Sequence, residues 1–173
     1  MKRKIMSVTI LHGLNMLVRF SLVFLILVML SKKAFPIYKY PGKMNLDYKG
    51  YEIYTLLTDS GFTIQQAKIL TSQAAHETGN FTSAIFLNNN NLFGMKLPNS
   101  RQTTAIGQKD GFAYFENLED SINDLIIYLK SQSIVKFSTV DNYVNQIKER
   151  NYFVEDLEQY KKSVKQFYNQ YFG

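Results

Sequence analysis

Between Leu14 and Leu30 only Asn15, Arg19 and Ser21 interrupt an apolar run, and its last part, Phe20 to Leu30, holds a single polar side chain, Ser21. As a helix this stretch rises ~25 Å, slightly short of a hydrocarbon core of ~30 Å, with Arg19 able to snorkel toward the surface. Lys2, Arg3 and Lys4 precede it, and Lys32 and Lys33 follow. The pattern predicts a membrane anchor over residues 14–30, or an uncleaved signal within residues 1–33. Cleavage is disfavoured because Met29 to Ala34 offers no small-x-small site. A buried core helix is the remaining alternative, and the lack of polar periodicity argues against it. Basic residues on both flanks leave the orientation open. Ala34 to Asp47, with two Pro and one Gly, reads as a short tether over residues 34–47.

The charge of +6 divides unevenly along the chain. Residues 1–49 hold nine Lys or Arg and one acid, Asp47, so residues 50–173 are slightly acidic. A nucleic-acid binder carries its positive charge on the folded domain, where it neutralises phosphates, so nucleic acid is not an expected partner. With 46 % hydrophobic and 20 % charged residues, the rest of the chain is suited to a packed core. The absence of Cys excludes a disulfide framework, Cys-ligated zinc and a thiol nucleophile. His12 and His76 are the only histidines and belong to no ligand cluster, so no metal or cofactor is expected.

From Tyr48 onward the periodicity is mostly helical. Thr63 and Gln66 form a capping-box pattern that opens a helix through Ala67, Leu70, Ala74 and Glu77, with Gly79 where a C-terminal cap belongs. A second helix follows Asn117, a third carries Val140, Tyr143, Val144 and Ile147, and a last one aligns Leu157, Tyr160, Val164, Phe167 and Tyr171 on an apolar stripe. Between them, Gln102 to Ile106 and Phe112 to Phe115 read as two short strands around a Gly107 to Gly111 turn. The expected fold class is α+β, mainly α: residues 48–173 form one helical domain with a small β-hairpin lobe and room for a cleft.

Glu77 stands out chemically. Its neighbourhood, SQAAHETGNF, is poor in charge, and it falls in the last turn of a helix. The carbonyl end of a helix disfavours a negative charge, and apolar surroundings do the same, so its carboxyl is expected to hold a proton at unusually high pH. That property suits general-acid cleavage of a glycosidic bond.

The stretch SQAAHETGNFTSAIFLNNNNLFGMK, Ser72 to Lys96, resembles the signature of the glucosaminidase family of bacterial and phage peptidoglycan hydrolases. Glu77, Thr78 and Gly79 match the family's helix-ending Glu-Ser/Thr-Gly, and Asn90 to Lys96 match its Asn-Asn-Leu-Phe-Gly-Ile/Met-Lys loop. The similarity runs on to Phe172. The resemblance implies a lysozyme-like domain, preceded here by the N-terminal apolar helix, acting as an endo-beta-N-acetylglucosaminidase on peptidoglycan glycan strands. It also implies Glu77 as the acid, Tyr152 of ERNYF near the cleaved bond, and Asn90, Asn91, Phe93, Lys96 and Tyr114 as substrate contacts. The protein would then be a single-pass membrane or exported hydrolase with its domain facing the wall.

One feature departs from the family pattern. Many members carry a second acid in the hairpin lobe, where this chain reads RQTTAIGQ without a carboxylate. Asp110 and Glu116 lie nearby, while Glu119 and Asp120 suit a helix's first turn. Without a second carboxylate, the substrate's own acetamido group is the expected nucleophile. A lytic transglycosylase, a non-catalytic wall-binding or virion structural protein, and a purely membrane-associated role remain open, as does the oligomeric state.

Overall fold

The computed structural model describes residues 44–173. The expected anchor over residues 14–30, and all but residues 44–47 of the expected tether, lie outside the described residues. Among the described residues no helix is long and apolar enough to cross a membrane.

The described residues form six helices and one hairpin: α1 (Tyr48–Asp59), α2 (Ile64–Glu77), α3 (Ala84–Asn89), β1 (Gly107–Lys109), β2 (Phe112–Tyr114), α4 (Leu118–Ser131), α5 (Val140–Glu149) and α6 (Leu157–Phe172). The class is therefore α+β and mainly helical. Each helix begins on a side chain that accepts from a first-turn N–H: Asp47, Thr63, Ser83, Asn117, Thr139 and Asp156 in turn. At Thr63 the expected capping box with Gln66 is complete. Residues 44–47 are already bound to the folded unit, since the Asn45 N–H donates to the Tyr171 carbonyl at 2.8 Å and Asp47 caps α1.

Among the described residues, helix α2 is central and packs against α1 and α6, and α5 packs against α6. Small residues let its neighbours approach closely: Ala67, Thr71, Ser72, Ala74 and Ala75 are all buried beside Ile69 and Leu70. The buried hydroxyls of Thr71 and Ser72 are satisfied by carbonyls one turn back, each at 2.8 Å, so burying them leaves no orphan donor. After Glu77 the chain turns sharply through Gly79, Asn80 and Phe81, all at positive φ. Thr78 holds this corner by donating to the Ala74 carbonyl and accepting from the Phe81 N–H. The result is a helix that stops at its acidic residue instead of carrying it past the core.

The hairpin corrects one expectation. The first strand is Gly107–Lys109, not Gln102 to Ile106, and it pairs antiparallel with β2 in the register Gly107 to Tyr114, Gln108 to Ala113 and Lys109 to Phe112. Asp110 and Gly111 both adopt positive φ, 54° and 81°. A two-residue turn of that kind matches strand twist, so it draws the neighbouring residues into the ladder and leaves the upstream run as loop.

Candidate active site

Glu77 ends α2 in a partly buried position, with its two carboxyl oxygens in different surroundings. Oε1 accepts a hydrogen bond of 2.5 Å from the Tyr160 hydroxyl, which reaches across from α6. Oε2 lies against Gly94: a Cβ built on that residue would stand 3.0 Å from it. Gly94 also has φ +61°, so both conformation and space require glycine there.

The loop that brings Gly94 to the acid is held by Asn91. The Asn91 amide donates to the Met95 and Ala113 carbonyls, each at 2.9 Å, and its Oδ1 accepts from the Phe93 and Met95 N–H groups. The Ala113 N–H donates to the Met95 carbonyl at 2.8 Å, which welds the loop to β2. From the far side, the Tyr152 hydroxyl donates to the Phe93 carbonyl. The structure thus brings Glu77 and Tyr152 to the same loop.

The other expected contacts separate into three groups. Asn91 and Phe93 are buried, with 1 % exposure each, and hold the loop from within. Asn90 spends its amide on the Phe115 and Glu116 carbonyls and lines a hollow of about 510 Å³ between α1, α3 and the start of α4, away from Glu77. Lys96 and Tyr114 are exposed. The four-Asn run is therefore a stitch between α3 and the hairpin, since Asn89 also donates to the Lys109 carbonyl at 3.0 Å.

Sequence reasoning missed the layer behind the acid. Tyr160 is fully packed, its ring stacked on Phe153 at 3.8 Å between centroids and met edge-on by His76 at 4.6 Å. The Gln73 amide donates to the Tyr160 hydroxyl at 3.2 Å, and the Tyr143 hydroxyl donates to Gln73 Oε1 at 2.7 Å. One signal was legible: Gln73 lies one helical turn before Glu77, on the same face of α2. Glu155 was missed as well. It pairs with His76 at 3.6 Å and is held in place by Lys148, which donates to its carbonyl at 2.7 Å.

Burial raises the Glu77 carboxyl from 4.5 to about 7; the Tyr160 hydrogen bond opposes the rise and the negative charge of Glu155 adds to it. Burial likewise raises the Tyr143, Tyr152 and Tyr160 hydroxyls well above their usual range, so all three remain donors throughout ordinary pH. Burial lowers His76, with Glu155 opposing. The acids near the hairpin lie elsewhere. Asp110 is in the turn, Glu116 and Glu119 line the separate hollow, and Asp124 is locked by Arg101 at 2.6 and 2.8 Å. A carboxyl held at one oxygen and still partly protonated near neutrality can donate a proton to a leaving oxygen.

Residues 61–172, well over half of the chain, match the family model for glucosaminidase, described as mannosyl-glycoprotein endo-beta-N-acetylglucosaminidase. Among curated proteins, protein bax of Escherichia coli (strain K12) is 36 % identical over 63 residues, a stretch that covers 36 % of this chain and 23 % of that protein. The match thus spans about a quarter of that relative's length. No solved structure matches the chain.

Proposed function

The chain belongs to the glucosaminidase family, and on that premise we propose that it hydrolyses the β-1,4 bond at N-acetylglucosamine in peptidoglycan, with Glu77 as the general acid of a lysozyme-like domain. The observation that carries this reading is the Glu77 carboxyl at the end of α2, held at one oxygen by Tyr160 and lifted by burial to about 7, a value suited to protonating a glycosidic oxygen. General acids of this kind accelerate bond breaking by roughly 10² to 10⁴. Family membership supplies the class of bond. Peptidoglycan is the inferred polymer because the apolar segment before the domain would tether it beside a wall, and tethering raises effective concentration.

In the proposed step the Glu77 proton passes to the glycosidic oxygen as the bond from that oxygen to the anomeric carbon breaks. The substrate's acetamido oxygen closes on the anomeric carbon, and water then opens the ring so formed and returns a proton to Glu77. Asp110 and Glu116 lie apart from Glu77, and Glu155, the carboxylate whose charge reaches it, is paired with His76 at 3.6 Å, which supports this route over one with two carboxylates. Asp110→Asn and Glu116→Gln should keep most activity; a loss as large as that of Glu77→Gln in either would refute it.

Mass spectrometry of digested, purified peptidoglycan tests the reading. Hydrolysis leaves fragments ending in reducing N-acetylglucosamine. Anhydro-sugar ends would make the protein a lytic transglycosylase, and an uncut polymer would make it a wall-binding protein; either result overturns the proposal.

A further inference from the structure

Behind the acid stands a directed chain of hydrogen bonds that the proposed chemistry does not itself use. Tyr143 donates to Gln73 at 2.7 Å, Gln73 donates to Tyr160 at 3.2 Å, and Tyr160 donates to Glu77 Oε1 at 2.5 Å. Each donor's hydrogen is committed to the next acceptor, so the polarity runs one way, toward the carboxyl. The chain is also rigid: Tyr143, Gln73 and Tyr160 are buried to 1 % exposure or less, and the Tyr160 ring is clamped between Phe153 and His76. Apolar contacts alone would hold these rings. A Gln inserted among them, with both ends of its amide satisfied, specifies which way the Tyr160 hydroxyl points.

We propose that Tyr160 is a positioning residue for the acid: backed by Gln73 and Tyr143, it pins Oε1 of Glu77 and so reserves Oε2, on the Gly94 side, for the substrate. This role presupposes Glu77 as the acid. Pinning one oxygen removes the two-fold freedom of the carboxyl and assigns the transferable proton to a single atom. Tyr160 also tempers the acid, because donating to the carboxylate favours the ionised form against the effect of burial. Among the described residues, the groups that act on Glu77 are Tyr160 from α6, Tyr143 from α5, and Tyr152 and Glu155 from the α5–α6 connection, with the neighbouring His76 on α2 paired to Glu155. Of these, Glu155 acts in the direction opposite to Tyr160.

The test is a carbon-13 titration of the Glu77 carboxyl in the full chain, with Glu77→Gln assigning the signal. Tyr160→Phe keeps the ring stack and removes the donor, so the midpoint should rise by about one pH unit. Glu155→Gln should lower it. A Tyr160→Phe midpoint that stays put or falls overturns the positioning role. If that variant does not fold, Gln73→Met is read in its place by the same criterion, since it removes the donor that orients the Tyr160 hydroxyl. Where the wild type cuts peptidoglycan, Tyr160→Phe should lower kcat about tenfold with little change in KM. Failure of the wild type to cut at all would count against the proposed function, while the titration would still decide the role of Tyr160.

Discussion

At the scale of single residues, the acid role proposed for Glu77 has a counterpart in stability. Its carboxyl titrates at about 7 in the folded chain against an ordinary 4.5, so the folded state binds the proton more tightly. The stability that this proton contributes is whole below 4.5 and is lost as the pH climbs through 7. Glu77→Gln removes that dependence. Urea melts should show the variant level with the wild type near about pH 4 and more stable at about pH 8, by roughly 3 kcal/mol at most. Gly94 is the second residue on which the site turns: Gly94→Ala puts a methyl 3.0 Å from Glu77 Oε2 at φ +61°. It should lower the thermal midpoint, costing about 1 kcal/mol or more, and reduce wall digestion at least tenfold. The raised Glu77 carboxyl at a helix end was legible because helix end and charge-poor neighbours are local facts of sequence. Tyr160 was legible only as one member of an apolar stripe, since what its hydroxyl meets lies 83 residues away in the chain.

At the scale of elements, two helices were readable through their caps, whereas α1 and the short α3 were not picked out individually. Thr63 with Gln66, and Asn117 before Glu119 and Asp120, mark their helix starts in sequence and in structure alike. The hairpin was readable in kind but not in register, because Asp110 and Gly111 decide the turn and the upstream run RQTTAI has a different task. Within it Arg101 grips Asp124 of α4 through two hydrogen bonds, and Thr103 adds a third at 2.6 Å. The Asp124 side chain is fully buried and that of Arg101 is 15 % exposed, so this loop is fastened to α4 by a charge that depends on its partner. Arg101→Met should cost about 3 to 5 kcal/mol in urea denaturation, because it strands a buried carboxylate. Asp124→Asn, which removes the charge itself, should cost less. Equal and small effects from both would mean that the pair contributes little to holding the loop.

At the scale of the whole molecule, the basic, apolar N-terminal segment and the nearly neutral domain have separate tasks in this account. The proposed anchor predicts that the full chain sediments with membranes, that removal of residues 1–41 releases it, and that protease added to intact cells reaches the domain. A full chain that stays in the supernatant, or a domain shielded from protease in cells that remain intact, would contradict a tethered wall hydrolase. Family membership was legible from the Ser72 to Lys96 stretch and the similarity that runs on to Phe172. Sequence did not show that Asn91 and Phe93 serve the loop's architecture, because motif residues can persist for what they hold in place. The most direct measurement of the central claim is the release of reducing ends from purified peptidoglycan by wild type and Glu77→Gln at about pH 6, where the acid should be largely protonated. Steady release by the wild type, with the variant slower by roughly 10² or more, is the predicted result. Equal release from both would contradict it.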